Sequence, residues 1–307
     1  MKSLRHLSQH QQIRKIVFYA RGFFENVLIP GAYYRTRLNT WLDSINRYDA
    51  ETIAYRVNYY NRLREAFSTP PEAVTIKCIP KRKTTYLIDF RHVLRYFPPD
   101  FKSSVRFGDV TNVSKAPRFV KTRPIEGKNE NSILLRLNSI RHFRPIHDPL
   151  QFRQKKDSLV WRGTVKPNHR STVFRQHFGN PLIDIGMTNE RPETELQAWR
   201  MPRLSIQDQL QHKFILSVEG NDVATNLKWI AQSNSLCFMT KPKYESWFME
   251  GTLEAGKHYV EVKDDYSDLL EKMDYYCENP DEAEAIIARL QNHHAQFTDV
   301  RKEHLIS

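Results

Sequence analysis

Apolar and polar residues alternate in blocks along the second half of the chain, from about residue 157 onward. Short apolar runs predict strands, and stretches with apolar positions three or four apart predict helices between them. The strands are predicted at 158–163, 181–187, 213–220, 235–240 and 258–262. The helices are predicted near 168–178, 204–211, 222–233, 244–250, 266–278 and 280–297. Strands alternating with helices imply parallel βαβ units with right-handed crossovers.

The first half of the chain has a less regular pattern. Residues 1–67 are predicted to be helical, with one break at 29–31, where proline and glycine interrupt the periodicity. Short β-rich runs follow at 73–79, 84–90, 103–109, 117–123 and 132–137. The stretch 13–29 mixes Arg and Lys with Ile, Val, Phe and Tyr, as a basic amphipathic helix does. Such a helix either lies on an anionic membrane surface or packs against the body of its own protein, and the sequence leaves both open.

Composition is ordinary for a globular protein: 307 residues, 40% hydrophobic and 27% charged. No apolar run approaches the ~20 residues that span a bilayer, and no apolar signal-peptide core is seen. Cys78, Cys237 and Cys277 are widely spaced and form no CxxC or Cys/His cluster. They support neither a zinc site nor a disulfide framework, and a reducing compartment is expected.

Charge separates the two halves of the chain. Residues 1–180 carry 34 Lys+Arg against 13 Asp+Glu, a net of +21, and residues 181–307 carry 13 against 22, a net of −9, which together give +12. The basic half is expected to meet an anionic partner: nucleic acid, a membrane surface or an acidic glycolipid. We predict an N-terminal domain over 1–155, a C-terminal ligand-binding domain over 156–280, and a C-terminal helix and tail over 281–307.

The residues with candidate chemistry follow two predicted strands. Arg162 and Gly163 end one strand, with Arg170 just inside the next helix; Glu219, Gly220 and Asn221 end another, with Thr225 and Asn226 in the helix that follows. In parallel sheets, ligands bind outside the carboxyl ends of the strands. Guanidinium groups and backbone N–H groups suit a phosphate or diphosphate, and a carboxylate suits vicinal sugar hydroxyls. Structural caps and ion pairs explain the same residues equally well.

The segment 218–262 contains a set of spaced motifs, and two more lie upstream of it: Trp161-Arg162-Gly163, Arg170, Glu219-Gly220, Lys228, Ser235, Lys241-Pro242-x-Tyr244, Trp247-Phe248, Leu253 and His258-Tyr259. Through these residues the segment resembles the signature region of glycosyltransferase family 90, and the similarity covers about residues 100–290. Without a signal peptide or an ER-retention tail, the chain looks most like the bacterial lipopolysaccharide-core branch of that family.

The resemblance implies an α/β fold of GT-B-like architecture, two Rossmann-like domains with a cleft between them. It also implies an inverting enzyme that needs no bound metal and no cofactor, with a UDP-sugar bound mainly by the C-terminal domain. Arg162 and Arg170 would then face the diphosphate, and Glu219, Gly220, Asn221, Thr225 and Asn226 would surround the nucleotide sugar. Animal members carry an Arg near the start of the helix that follows the Glu219-Gly220 turn, where this chain has Asn226. Binding of the diphosphate would therefore depend more on Arg162, Arg170 and Lys228. This departure leaves the donor sugar open.

Inverting transfer needs a general base for the acceptor hydroxyl. The family's base is an Asp at the end of an N-domain strand, and the run "SVRFGD" ends in this way at Asp109. Asp109 could equally cap the following turn, and Asp148 and Glu126 are the other candidates.

We therefore expect a glycosyltransferase that moves a sugar from a UDP-sugar to a lipopolysaccharide-core, lipooligosaccharide or related glycan acceptor. It would be cytoplasmic and peripheral at the inner membrane, its basic half receiving the phosphorylated acceptor and anionic headgroups. The alternative is a non-catalytic basic protein that binds nucleic acid or an anionic surface. No zinc finger or RNP aromatic pair supports nucleic-acid binding.

Overall fold

A computed structural model describes residues 9–79, 84–166, 169–190 and 193–307. The helices are α1 (Gln9–Val27), α2 (Gly31–Arg35), α3 (Leu38–Asp43), α4 (Ala50–Tyr60), α5 (Thr84–Leu94), α6 (Ser139–His142), α7 (His169–His177), α8 (Ile206–Gln209), α9 (Leu227–Ile230), α10 (Leu269–Glu278), α11 (Pro280–Ala295) and α12 (Val300–Ile306). The strands are β1 (Val74–Thr75), β2 (Lys102–Ser103), β3 (Val105–Arg106), β4 (Arg118–Val120), β5 (Thr122–Pro124), β6 (Ser132–Leu134), β7 (Lys156–Gly163), β8 (Ile183–Met187), β9 (His212–Leu216), β10 (Leu236–Met239), β11 (Tyr244–Ser246) and β12 (Val260–Glu261).

The chain divides into two compact units. Unit 1 comprises 1–142, 243–249 and 297–307, and unit 2 comprises 143–242 and 250–296. The domains predicted from the sequence (1–155, 156–280 and 281–307) stay predictions, since a compact unit is not by itself an independently folding domain.

Unit 2 is built on a parallel sheet. Within the described residues its strands lie in the order β8-β7-β9-β10-β12, and every neighbouring pair is parallel. Numbered along the chain, this is the doubly wound order 2-1-3-4-5, which has its topological switch point between β7 and β9. The strand and helix alternation predicted for this half is confirmed at that level.

The apolar runs of unit 2 form its core because both faces of a parallel sheet are covered. Leu159, Phe214, Leu216, Leu236 and Phe238 have no exposed surface, and helices α10 and α11 pack against the same core. The sequence starts α11 with Pro280 and places Asp281 and Glu282 in its first turn, which suits the orphan N–H groups and the helix dipole. Ser205 and Asp208 form a capping box at the start of α8.

Unit 1 contains a second, smaller parallel sheet, β3-β4-β6, and β11 pairs with β5 in antiparallel fashion. Its helices α4 and α12 are joined by a buried ion pair between Arg56 and Glu303. Tyr60 stacks on Trp247 with ring centroids 3.8 Å apart and donates a hydrogen bond to the Trp247 carbonyl. The α/β class is thus confirmed, and the GT-B-like arrangement stays a prediction.

Several predicted elements are wrong. The run 84–90, predicted as a strand for its aromatic and β-branched residues, is part of helix α5. Leu87, Phe90 and Leu94 are buried along one face of that helix, and their spacing of three and four is helical. The helix predicted near 244–250 contains strand β11 instead, because Glu245 pairs with Arg123 of β5 in the interior of unit 1.

Other predicted elements exist but are shorter. The helix predicted over 222–233 is reduced to α9, which begins only at Leu227. The helical region predicted over 1–67 is confirmed in part: helices α1 to α4 lie between Gln9 and Tyr60, with the predicted break at Pro30 and a second break between Asp43 and Ala50, but 61–67 are not helical. Residues 1–8 lie outside the described residues. Residues 73–79 form only a two-residue strand followed by a 3-10 turn at Ile76–Cys78. In the described part of the chain, no helix has the length and apolar character needed to cross a membrane.

The partly buried ring of His304 in unit 1 gives a pH-dependent test of this fold. The ring contacts Trp41, His92 and Tyr96, and no described residue hydrogen-bonds its Nδ1. Burial, aided by the neighbouring charges of His92 and Arg95 and opposed by Glu25, lowers the pKa of His304 from 6.5 to about 3. Below about pH 6.5 the unfolded chain therefore binds a proton that the folded chain does not.

We predict that this histidine makes the folded state less stable as pH falls from about 6.5 towards 3, by at most about 1.4 kcal/mol per pH unit. His304→Phe keeps an aromatic ring and removes the titration, so the pH dependence of the free energy of unfolding should become shallower in that range. Urea titrations at several pH values measure it, and the exposed His147→Phe is the control. Equal slopes in wild type and His304→Phe would contradict the prediction.

Candidate active site

The centre of the candidate site is the switch point of the unit 2 sheet, where β7 and β9 end side by side. Arg170, from the first turn of α7, spans the two strand ends. Its Nη1 donates to the Thr164 carbonyl after β7 (2.8 Å), and its Nε and Nη2 donate to the carbonyls of Glu219 (2.8 Å) and Val218 (2.9 Å) after β9. One guanidinium thus fixes both loops that leave the switch point.

The composition of the Glu219–Gly220 turn follows from this contact. A Cβ on Gly220 would lie 2.9 Å from Nη2 of Arg170, so only glycine lets the backbone come so close. The Gly220 N–H donates to the Asp222 carbonyl at 2.9 Å, and the turn closes on a buried Asp222. Glu219, whose own carbonyl is held by Arg170, keeps a partly exposed side chain.

Arg162 and Gly163 are held by the sheet itself. Arg162 Nη2 donates to the Asp184 carboxylate at 2.7 Å and Nη1 to the Asp184 carbonyl at 2.7 Å, and only 6% of the side chain is exposed. A Cβ on Gly163 would lie 2.5 Å from the indole of Trp161, which in turn lies 5.5 Å from the Arg170 guanidinium. The guanidinium groups of Arg162 and Arg170 both bind protein atoms. That they also bind a diphosphate therefore remains a prediction.

Next to this switch point, unit 2 has a small cleft that is open to solvent. The cleft lies at the carboxyl ends of β9 and β10, where ligands of such sheets bind. It is lined by Ser217, Glu219, Val223, Ala224, Leu227, Met239, Thr240, Pro242 and Glu250.

The predicted residues of the loop and helix after β9 take different positions. Lys228 is fully buried and its ammonium pairs with the buried Glu250 carboxylate. Asn226 donates from its amide to the Leu216 carbonyl at 2.9 Å and accepts from the Ser217 hydroxyl at 3.3 Å, so it binds the end of its own strand. Asn221 is exposed and Thr225 partly exposed.

Tyr266, the residue before the turn into α10, lies in the electrostatic field of Arg170 and Glu219. Burial raises the pKa of its phenol to about 12, with Asp264 and Glu219 adding to the rise and Arg170 opposing it. The phenol is therefore neutral at physiological pH. Among the described residues, no three His, Cys, Asp or Glu side chains come together in a way that could hold a metal ion.

Asp109, the predicted base, belongs to unit 1. It follows β3 and Gly108, whose φ of 116° lies in a region that a side chain disfavours. Its carboxylate accepts from the buried Lys121 ammonium at 2.8 Å while 35% of the Asp109 side chain is exposed. Lys121 directly follows β4, so the pair sits at the carboxyl ends of two neighbouring parallel strands.

The two other candidate bases differ from Asp109. Asp148 is 2% exposed and accepts from the Lys155 ammonium and the Asn234 N–H, both at 2.8 Å, as a structural carboxylate does. Glu126 lies on an exposed turn of unit 1.

Comparison with known proteins supplies the class. The sequence profile of glycosyl transferase family 90 matches residues 136–301, so the chain belongs to this family. The chain is 43% identical to an O-glucosyltransferase, LpsA, of Dichelobacter nodosus, over 94% of this chain and 91% of that protein. It is 30% identical to the human protein O-glucosyltransferase 3 over 43% of this chain and 26% of that protein, and 25% identical to protein O-glucosyltransferase 2 of zebrafish (Danio rerio) over 43% and 27%.

The predicted family and its bacterial branch are confirmed by these relatives. The protein is a glycosyltransferase, and the alternative of a non-catalytic basic protein loses its support. With the animal proteins it shares only a segment, about a quarter of their length, whereas it matches the bacterial relative almost from end to end.

Some residues of the cleft escape sequence reasoning. Met239 ends β10, and Thr240 and Pro242 follow it; the rule on strand ends would have found them had it been applied to that strand as well. Glu250 has no such signal, because it follows Met249, a non-glycine residue with φ of 57°, in a segment predicted to be helical. Only the fold brings it to Lys228.

The Lys228–Glu250 pair predicts a specific stability pattern. Lys228→Met or Glu250→Met alone removes one member of the pair and leaves the opposite charge in the interior. Each should lower the free energy of unfolding by about 3–5 kcal/mol. The double variant removes both charges and should recover a large part of that loss, which urea unfolding of the four proteins measures.

The exposed Lys257–Glu254 pair of the same unit is the matched control, and Lys257→Met should change stability little. Additive losses in the double variant, or single losses as small as that of Lys257→Met, would show that the buried charges do not depend on each other.

Proposed function

We propose that this glycosyltransferase moves a glucosyl group from UDP-glucose to a hydroxyl of a lipopolysaccharide-core or related glycan, with inversion and without a bound metal. The observation that carries the proposal is the 43% identity over 94% of the chain to a protein named O-glucosyltransferase. The shorter matches to animal proteins also carry the name O-glucosyltransferase, which favours glucose as the donor sugar. The acceptor class rests on the sequence resemblance to the bacterial lipopolysaccharide branch.

The donor is assigned to the cleft of unit 2. A carboxylate on the cleft wall, Glu219, can accept hydrogen bonds from vicinal hydroxyls of ribose or sugar. The Arg170 guanidinium beside it supplies positive charge for the diphosphate, whose negative charge increases as the glycosidic bond breaks. Its three carbonyl contacts hold it in place before the donor arrives, so little reorganisation is needed.

The base is assigned to Asp109 of unit 1. In the proposed step the acceptor oxygen attacks the anomeric carbon, the bond from that carbon to the diphosphate oxygen breaks, and UDP leaves with the electron pair. The acceptor proton passes to the Asp109 carboxylate. The neighbouring Lys121 ammonium favours the ionised form, which is the form that can accept a proton.

The direct test is UDP release by the purified protein. UDP-glucose is expected to support release that depends on added lipopolysaccharide or lipooligosaccharide and is unaffected by EDTA, and NMR of the product should show an inverted anomeric centre. UDP-galactose, UDP-xylose and UDP-N-acetylglucosamine serve as competing donors. Turnover with another donor alone would overturn the choice of glucose, and loss of turnover in EDTA would overturn metal independence.

Asp109→Asn keeps the size of the side chain but cannot take the proton. We predict a fall in kcat of about 10²–10⁴-fold, the usual range for a lost general base, with UDP affinity nearly unchanged. The control is Asp100→Asn, which removes the carboxylate of an exposed Asp–Lys pair in the same unit and should leave kcat near wild type.

Near-normal turnover in Asp109→Asn, together with loss of turnover in Glu126→Gln or in a folded Asp148→Asn, would move the base to one of those residues. Circular dichroism of each variant separates a lost base from a lost fold.

A further inference from the structure

Helix α1 has one face that packs against helix α5 and the rest of unit 1. Gly22 lies against the side chain of Ile88 in α5, where a Cβ would come within 2.8 Å of it. One turn further, the Glu25 carboxylate accepts from Arg95 of unit 1 at 2.7 Å and lies 3.1 Å from His92 Nδ1. The packing face of α1 is therefore fixed by Gly22 and Glu25.

The opposite face of the same helix is apolar and uncovered. Residues on it recur at intervals of three and four, so they form one stripe along the helix. More than half of the surface of each of the following side chains is exposed: Ile13, Ile16, Val17, Phe23 and Phe24. We call these five residues the α1 stripe. Large aliphatic and aromatic side chains grouped in this way mark an interaction site more often than an ordinary surface.

The charge around the α1 stripe is positive. Helix α1 carries Arg14, Lys15 and Arg21; its single acidic residue, Glu25, pairs with the exposed Arg21 at 2.7 Å as well as with Arg95 on the packing face, so the helix itself has a net positive charge. The first 180 residues, which include this helix, have a net charge of +21. An apolar stripe within a basic surface complements an interface that is apolar inside and anionic at its edge. A second copy of the chain would bring like charges together instead.

We propose that the α1 stripe docks the protein on an anionic lipid bilayer, with α1 lying in the plane of the headgroups. Phe23, Phe24 and Ile16 would enter the boundary between headgroups and acyl chains, and the Arg and Lys side chains would contact the anionic headgroups. Both parts of the surface are needed for strong binding, because each one alone gives only a marginal affinity. The proposal does not depend on the identity of the donor or the acceptor.

The experiment is co-sedimentation of the full chain with vesicles of phosphatidylcholine alone or mixed with phosphatidylglycerol. The wild type is expected to bind the mixed vesicles and to dissociate as salt is raised, because the charges become screened. Phe23→Gln/Phe24→Gln should weaken binding at least about ten-fold, since two large apolar side chains no longer enter the bilayer. Glutamine is a good helix former, so α1 itself should persist.

The control is Phe178→Gln/Val300→Gln, which removes two exposed apolar side chains elsewhere and should bind like wild type. Equal binding to both kinds of vesicle, no binding to either, or no effect of Phe23→Gln/Phe24→Gln would overturn the proposal. Light scattering provides a second readout. A wild-type dimer that Phe23→Gln/Phe24→Gln converts to a monomer would show that a second copy covers the α1 stripe and would also overturn it.

Discussion

The candidate site depends on one guanidinium. Arg170 satisfies three backbone carbonyls at the ends of two neighbouring strands, which an Arg can do because its donors form a rigid planar fork. Lysine has a compact ammonium group at the end of a flexible stem, so it could not hold all three carbonyls in fixed directions. The position of the Glu219 carboxylate, the need for glycine at 220 and the order of the loops beside the cleft all follow from this contact.

The parts of the fold that could be predicted are those in which local pattern and tertiary packing agree. Strands β7, β9 and β10 each contain a short buried apolar run (159–161, 214–216 and 236–239), and the glycines and polar residues that follow these runs mark the edge where a ligand would bind. Helix α5 could have been predicted as well, since Leu87, Phe90 and Leu94 have helical spacing that was outweighed by β-forming residue types. Strand β11 could not, because it forms only through pairing with β5, more than a hundred residues earlier.

Residue type alone also overstates the number of functional charges. Asp148 and Lys228 each suggested chemistry in the sequence, yet each is buried against a partner of opposite charge, Lys155 and Glu250. Burial of a charge is costly without such a partner, so these buried charges occur as pairs of opposite sign. Asp109 differs, because its carboxylate is partly exposed although its partner Lys121 is buried. Its partial exposure leaves the Asp109 carboxylate accessible to a substrate, as the buried Asp148 carboxylate is not.

We propose that UDP binds at the switch point held by Arg170. The most direct test is to measure by calorimetry the UDP affinities of two variants of helix α7. Arg170→Ala should raise the Kd for UDP by roughly ten- to hundred-fold, corresponding to about 1.5–3 kcal/mol for a lost charged hydrogen bond. Arg175→Ala removes the same charge from an exposed position of α7 and should leave the Kd unchanged. Equal affinities in wild type and a folded Arg170→Ala, or equal losses in both variants, would contradict the account.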